Sequence, residues 1–251
     1  MLPSALRAQD VAPYIEKVPG TLVQIEMVPV PGGVVEMVTP AGPRMVSVPP
    51  FWIAKTEVTW DLYDVFVHGL DRPADAGAAD AVSRPTKPYM LPGEQFGHQG
   101  LPALGMSFHA ANQLARWLSA VTGKKYAVPN EAQWELACRA GLGGAADAGA
   151  RAWHGGNSAD RTHAVATREP DALGVHDLLG NVAEWVRGVD GDSVAKGGAF
   201  DVAPQDVHCG ARMRQTPAWN VTDPQLPKSP WWLPDAYFLG VRLIRVMESN
   251  P

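Results

Sequence analysis

Apolar and polar residues alternate over 21–30 (Leu22, Val23, Ile25, Met27, Val28) and again over 34–38, with Pro31, Gly32 and Gly33 between. A period of two places alternate side chains on one face, so the pattern predicts two short strands joined by a turn. Residues 44–48 and, past Pro49 and Pro50, the triplet Phe51, Trp52 and Ile53 predict two more. Residues 1–20 end in Pro19 and Gly20 and carry no such period; they read as a weakly ordered arm.

The period then changes. Thr59 stands where it can cap a helix over 60–67 whose inner face carries Leu62, Tyr63 and Phe66. Ser107 does the same for 108–121, where Phe108, Ala111, Leu114, Ala115 and Leu118 recur at helical spacing and Gly123 closes the run. After a short extended piece at 126–128, Asn130 and Gln133 have the spacing of a capping box. They predict a helix to about Arg139, stopped by Gly141, with Trp134, Ala137 and Cys138 facing inward. Residues 195–200, 207–214 and 237–246 read as strands, the last after a proline-rich excursion over 216–236. The aperiodic stretches 69–100 and 141–170 read as long loops. No repeat interrupts this order. The expectation is one α+β domain over 21–246, with an arm at 1–20 and a tail at 247–251.

Composition sharpens the picture. The chain holds 25 Gly, 23 Pro and 9 Trp, too many breakers for a helical bundle and enough large aromatics to hold long connections down. A net charge of -5 argues against nucleic acid or an anionic membrane surface as partner. The apolar runs are far shorter than a membrane span, and residues 1–19 contain no signal-like apolar stretch. Cys138 and Cys209 are too few for a disulfide framework; one bridge and two free thiols are both compatible.

The densest chemistry lies in Gly174-Val-His-Asp-Leu-Leu-Gly-Asn-Val-Ala-Glu-Trp-Val186. If the chain curls between Asp177 and Glu184, both carboxylates and one or two carbonyls face one point. That is the oxygen-only set a hard cation such as Ca2+ prefers. The alternative is a turn capped by Asp177 followed by a solvated strand residue, Glu184.

Several segments together, in chain order, resemble the formylglycine-generating enzyme, or sulfatase-modifying factor, family. They are Phe51-Trp-Ile-Ala-Lys-Thr-Glu-Val-Thr59 with Tyr63 and Phe66, the helix from Met106-Ser107 to Trp117-Leu118, and Tyr126-Ala-Val-Pro-Asn-Glu-Ala-Gln-Trp-Glu-Leu-Ala137. Gly180-Asn-Val-Ala-Glu-Trp185, Lys196-Gly-Gly198, Arg212 and Gly240-Val-Arg-Leu243 complete the set. The resemblance spans about 21–246. It implies a C-type-lectin-like α+β fold with few short helices, much irregular structure and structural calcium. Carried over, the calcium ligands are the side chains of Asp177 and Glu184 and the carbonyls of Gly180 and Val182. Asn157 and Asp160 fall in the region of a second, less recognisable calcium site. Calcium in turn favours a periplasmic or secreted protein, since cytosolic calcium is too scarce to fill weak structural sites.

Oxidising members of the family bind copper(I) with two cysteines shortly beyond the Gly-Gly pair. Counted from Gly198, those positions are Val202 and Val207, and neither side chain can bind copper. Cys209 is the nearest thiol and the one weak catalytic candidate, but a single thiol cannot make a two-thiolate site. The histidines show no paired ligand spacing, although His154, His163, His176 and His208 fall near the implied groove.

The resemblance therefore predicts a module that binds a peptide, protein or glycan in a groove rather than a copper enzyme. Candidate groove residues are Phe200, Asp201, Arg212, Arg214, Trp219, Trp231, Trp232 and Tyr237. Aromatics with arginines can stack on and hydrogen-bond such ligands. Two other readings stay open: an oxidase with an altered metal site, and a diversified lectin-type recognition protein.

Overall fold

The glycines and prolines cut the chain into elements that are mostly too short to stand alone, so tertiary contacts decide their boundaries. The computed structural model describes residues 12–39, 41–72, 84–85, 93–142 and 149–247. Parts of the expected arm, of both long loops and of the tail lie outside these.

Along the first half run β1 (Tyr14–Lys17), β2 (Gln24–Val30), β3 (Gly33–Thr39), β4 (Gly42–Val48) and β5 (Phe51–Ala54). Then come α1 (Trp60–His68), α2 (Phe108–Thr122), β6 (Tyr126–Ala127) and α3 (Glu131–Leu142). The last third holds β7 (Ala183–Arg187), β8 (Ser193–Lys196), β9 (Arg212–Arg214), β10 (Leu239–Gly240) and β11 (Ile244–Val246). One sheet has the order β1-β2-β5-β11-β6, a second β10-β7-β8-β9, and β3-β4 form a separate hairpin. Strands from both ends of the chain thus meet in the first sheet, with Ile244 opposite Ile53 and Val28 opposite Ile53 on the other side.

The helix signals hold up. Ser107 Oγ accepts the Ala110 N–H at 3.0 Å, and Gly123 closes α2 in the left-handed region. Asn130 and Gln133 exchange reciprocal bonds of 2.9 and 2.8 Å at the start of α3. Thr59 takes the cap position of α1 but makes no side-chain cap bond.

The strand boundaries need correction. β1 lies inside the stretch read as a weakly ordered arm, because Tyr14 packs edge-on to Trp52 and bonds the Tyr126 hydroxyl. β8 ends at Lys196, where the strand was expected to begin, since Gly197 and Gly198 turn the backbone to φ 92° and 75°. Of 207–214 only β9 is strand, and 237–246 divides between two sheets. α3 runs through Gly141 to Leu142, and the Gly141 carbonyl accepts the Ala172 N–H at 2.9 Å.

Two apolar cores flank the sheets. Trp60, Tyr63, Phe66, Leu114, Leu118, Trp185 and Trp232 belong to one; Phe51, Ile53, Trp134, Leu178, Val186 and Val194 belong to the other. Among the described residues no helix is long and apolar enough to cross a membrane.

Candidate functional site

The loop before β7 holds the residues expected to bind an ion. Asp177 and Asn181 hold positive φ values of 53° and 50°, uncommon for residues with a Cβ. Gly180 is required between them: a Cβ there would sit 2.1 Å from the Trp153 carbonyl oxygen. Asn181 locks the loop, accepting the His163 N–H at 3.0 Å and donating to the His163 carbonyl at 3.2 Å.

Asp177 and Glu184 are both buried, at 2% and 0% exposure, but their surroundings differ. Glu184 Oε1 accepts from the Arg242 guanidinium at 2.9 and 2.8 Å, and Oε2 accepts the Trp134 indole N–H at 2.7 Å. Arg242 spends its other donors on the carbonyls of Ala54 and His176. Asp177 Oδ2 accepts the Ala166 N–H at 2.7 Å, while its Oδ1 is buried with no hydrogen-bond partner.

A third buried carboxylate belongs to this centre. Among the described residues Glu57 accepts two long bonds, from the Asn181 amide at 3.3 Å and the Val182 N–H at 3.4 Å. Burial raises the pKa of Glu57 well above the usual carboxylate range, and the nearby charges of Asp177 and Glu184 push the same way. Burial likewise raises Asp177 and Glu184, against the opposing pull of Arg242. Arg242 is itself disfavoured by burial, but the carboxylates of Glu184 and Glu57 outweigh that and hold it charged. The Arg242 charge thus acts on all three carboxylates, and that of Arg168 adds to it at Asp177.

This donor set fits a hard cation at Asp177. Asp177 Oδ1 lacks a partner, and Glu184 Oε2, with its one bond from Trp134, keeps a second lone pair, whereas Oε1 already takes two. The weaker second site fits less well. Asn157 satisfies its amide locally, accepting the His154 N–H at 2.9 Å and donating to the Ala152 carbonyl at 3.1 Å. Asp160 lies on the surface, close enough to Asp201 that its charge adds to the effect of burial in raising the Asp201 pKa.

The expected groove is only partly assembled. Trp231 and Trp232 are 6% exposed and belong to the core, so they offer no ligand surface. Arg212 bonds Glu131 at 2.8 Å and Asp190 at 2.9 Å, and Arg214 pairs with Asp190 and Asp192. Both arginines are tied to acids of this chain. What remains is an aromatic strip. Phe96 meets Phe200 at 5.3 Å between centroids, Phe200 meets Tyr237 at 6.3 Å, and Phe238 meets Trp219 at 5.3 Å. Phe200 forms its buried floor and Tyr237 its exposed edge, at 39%.

Cys209 is bonded to Cys138 across 71 residues with a Cα separation of 5.8 Å, so it presents no free thiol. This removes the weak catalytic candidate while the bridge stands. Val207 is buried against the same core, and the Val202 carbonyl accepts the Gly155 N–H. Three of the four histidines near the groove have local roles: His154 Nδ1 accepts the Gly156 N–H at 3.1 Å, His163 stacks on Trp153 at 3.6 Å, and His176 bonds the Arg168 carbonyl. Among the described residues no group of three or more His, Cys, Asp or Glu side chains is arranged to hold a metal.

Glu57, Arg242 and Trp134 were in view in the sequence motifs but carried no predicted role. A lone Glu in Glu-Val-Thr and a lone Arg in Gly-Val-Arg-Leu give no sign of burial. Glu184, which pairs with Arg242 and repels Glu57, lies 127 positions after Glu57 and 58 before Arg242.

A family model described as the sulfatase-modifying factor enzyme 1-like domain matches residues 14–223. No curated protein matches by sequence. Among solved structures, Treponema denticola variable protein 1 superposes with a TM-score of 0.67 at 18% identity, covering 94% of this chain and 99% of that one. PvdO from Pseudomonas aeruginosa gives 0.64 at 24% identity, over 92% and 100%. CarF gives 0.54 at 21% identity, over 89% and 99%. At such identities the structural likeness speaks for the fold. The expected fold, α+β and C-type-lectin-like with much irregular structure, is the fold observed.

Proposed function

The chain belongs to the sulfatase-modifying factor enzyme 1-like family, and from that premise we propose that it is a ligand-binding or accessory member without the copper chemistry. The observation that carries this reading is the state of its only two cysteines. They bond each other, while Val202 and Val207 stand where the resemblance puts the copper pair. A soft cation has no thiolate to bind there. The aromatic strip from Phe96 to Trp219 supports a binding role for the adjacent surface, since exposed aromatic edges over a rigid floor suit a peptide or a glycan.

In this reading a structural calcium is held by Asp177, with the carbonyls of Gly180 and Val182 and the carboxylate of Glu184 around it. The ion supplies charge balance to a buried, negatively charged loop, and Arg242 and Trp134 keep Glu184 oriented. The disulfide supports an oxidising, extracytoplasmic compartment.

The test is elemental analysis of the dialysed protein together with a copper(I)-supplied assay on a cysteine-containing sulfatase peptide. Near-stoichiometric calcium and no aldehyde product are expected. Retained stoichiometric copper or iron, or an aldehyde formed on the peptide, overturns the reading in favour of an oxidase with an altered site.

A further inference from the structure

β2 and β5 pair from Met27 opposite Ala54 to Val30 opposite Phe51, and the last bond between the two chains runs from the Lys55 N–H to the Glu26 carbonyl at 2.8 Å. Beyond it they part. The Ala54 N–H bonds the Leu243 carbonyl and the Val58 N–H bonds the Val241 carbonyl, so a four-residue step on one side faces a two-residue step on the other. The surplus at Thr56 and Glu57 makes a bulge, and a bulge bends its strand out of the sheet. The fork this opens is a cavity of about 350 Å³, walled by Ile25, Val58, Leu62, Val165 and Leu243 and sharing no residue with the aromatic strip. That volume falls at the small end of pockets that hold ligands.

β2 continues past the fork with β1 alone. In an antiparallel ladder successive residues turn their main-chain groups to opposite sides. The Val18 N–H bonds the Val23 carbonyl, and the Lys55 N–H bonds the Glu26 carbonyl. Odd-numbered residues here therefore face β1 and even-numbered ones face the fork. Gln24, opposite Lys17, turns both its N–H and its C=O toward the cavity it lines. The Glu26 N–H is not bonded to Lys55, whose carbonyl takes the His176 N–H at 2.9 Å. On the far wall the N–H groups of Thr56 and Glu57 have no hydrogen-bond partner among the described residues, although Glu57 is only 2% exposed. Buried main-chain N–H groups are nearly always paired. The Glu57 carboxylate belongs to the loop before β7, and only its main chain counts here.

We infer that this fork docks a short extended peptide, which adds a strand along the Gln24–Glu26 edge of β2. An N–H and a C=O on one residue, with a further N–H two residues on, match another main chain at strand spacing. A purely apolar guest would leave all three unmet. The apolar wall takes alternate side chains of the guest.

The probes are acetyl-Val-Thr-Val-amide, acetyl-Leu-Ser-Leu-amide and acetyl-Ala-Thr-Ala-amide, titrated into the isotope-labelled, calcium-loaded protein and followed by amide NMR. The Gln24 and Glu26 amides are expected to shift saturably with at least one peptide and to gain protection from hydrogen exchange. Methylating the backbone nitrogens of that peptide should weaken it up to about tenfold for each hydrogen bond lost. Gln24→Pro removes the edge N–H but spares the β1 ladder and should abolish binding, while Gln24→Ala should not. Should Gln24→Pro fail to fold, Val165→Phe fills the wall and should block binding in its place. Tyr237→Ala, on the strip, should leave binding unchanged. Equal binding of the methylated peptide, or no response of the folded wild type to any of the three, overturns the inference. Loss on Tyr237→Ala also overturns it, by moving the peptide to the strip. Shifts of the same amides that track protein concentration without peptide overturn it in favour of a second copy of this chain.

Discussion

Glu184 and Lys196 face each other directly across β7 and β8, yet they do not pair, and the two charge networks they enter differ in kind. Trp134 stands between them, donating its indole N–H to Glu184 and lying 5.6 Å from the Lys196 ammonium through its ring face. On the Lys196 side, Glu135 bonds Lys196 at 2.8 Å and Arg139 at 3.0 Å, and Glu131 bonds Arg212. Every carboxylate there has a cation. On the Glu184 side, the Arg242 charge acts on three buried carboxylates and one oxygen of Asp177 has no hydrogen-bond partner. A balanced network explains itself as structure; an unbalanced one is what the proposed calcium would complete. The comparison separates a cluster that merely holds the fold from one suited to an ion.

The largest way to break it is at Arg242. Arg242→Met leaves Glu184 buried and unpaired and should cost about 3–5 kcal/mol, as expected when one partner of a buried pair is removed. Lys196→Met should cost visibly less, because Arg139 and Arg212 still serve Glu135 and Glu131. Equal losses in chemical denaturation would mean the two networks are not different in kind.

Calcium removal sharpens it further. A ligand that binds only the folded state adds about 2.7 kcal/mol at a hundred times its dissociation constant. Chelation should therefore lower the melting temperature of the wild type, and Asp177→Ala should melt at the same temperature with and without the chelator. An unchanged wild-type melting temperature on chelation would remove the ion from the loop.

The smallest effect belongs to the outer rim of the balanced side. Arg214 is half exposed and pairs with Asp190 and Asp192. Arg214→Ala should change stability by no more than about 1 kcal/mol. It should also leave ligand binding on the aromatic strip intact, which a titration with a strip ligand would check.

Local signals in the sequence determined what they physically control. Ser107, Gly123 and the Asn130–Gln133 box act within one turn of helix, and all three operate as read. The turn at Gly180 was likewise legible, because only glycine fits beside the Trp153 carbonyl there. Partnership across the chain was not legible. Whether Cys209 carries a free thiol depended on Cys138, 71 residues away, and whether Arg212 and Arg214 face a ligand depended on Asp190 and Asp192. Trp231 and Trp232 gave no sequence sign of being core rather than groove, since burial is a property of what packs against a residue. Glu57 is the clearest case. The sequence shows an ordinary glutamate after a strand, and only the meeting of β5's continuation with the loop before β7 makes it a buried charge, because desolvation exists only once the rest of the chain has excluded water.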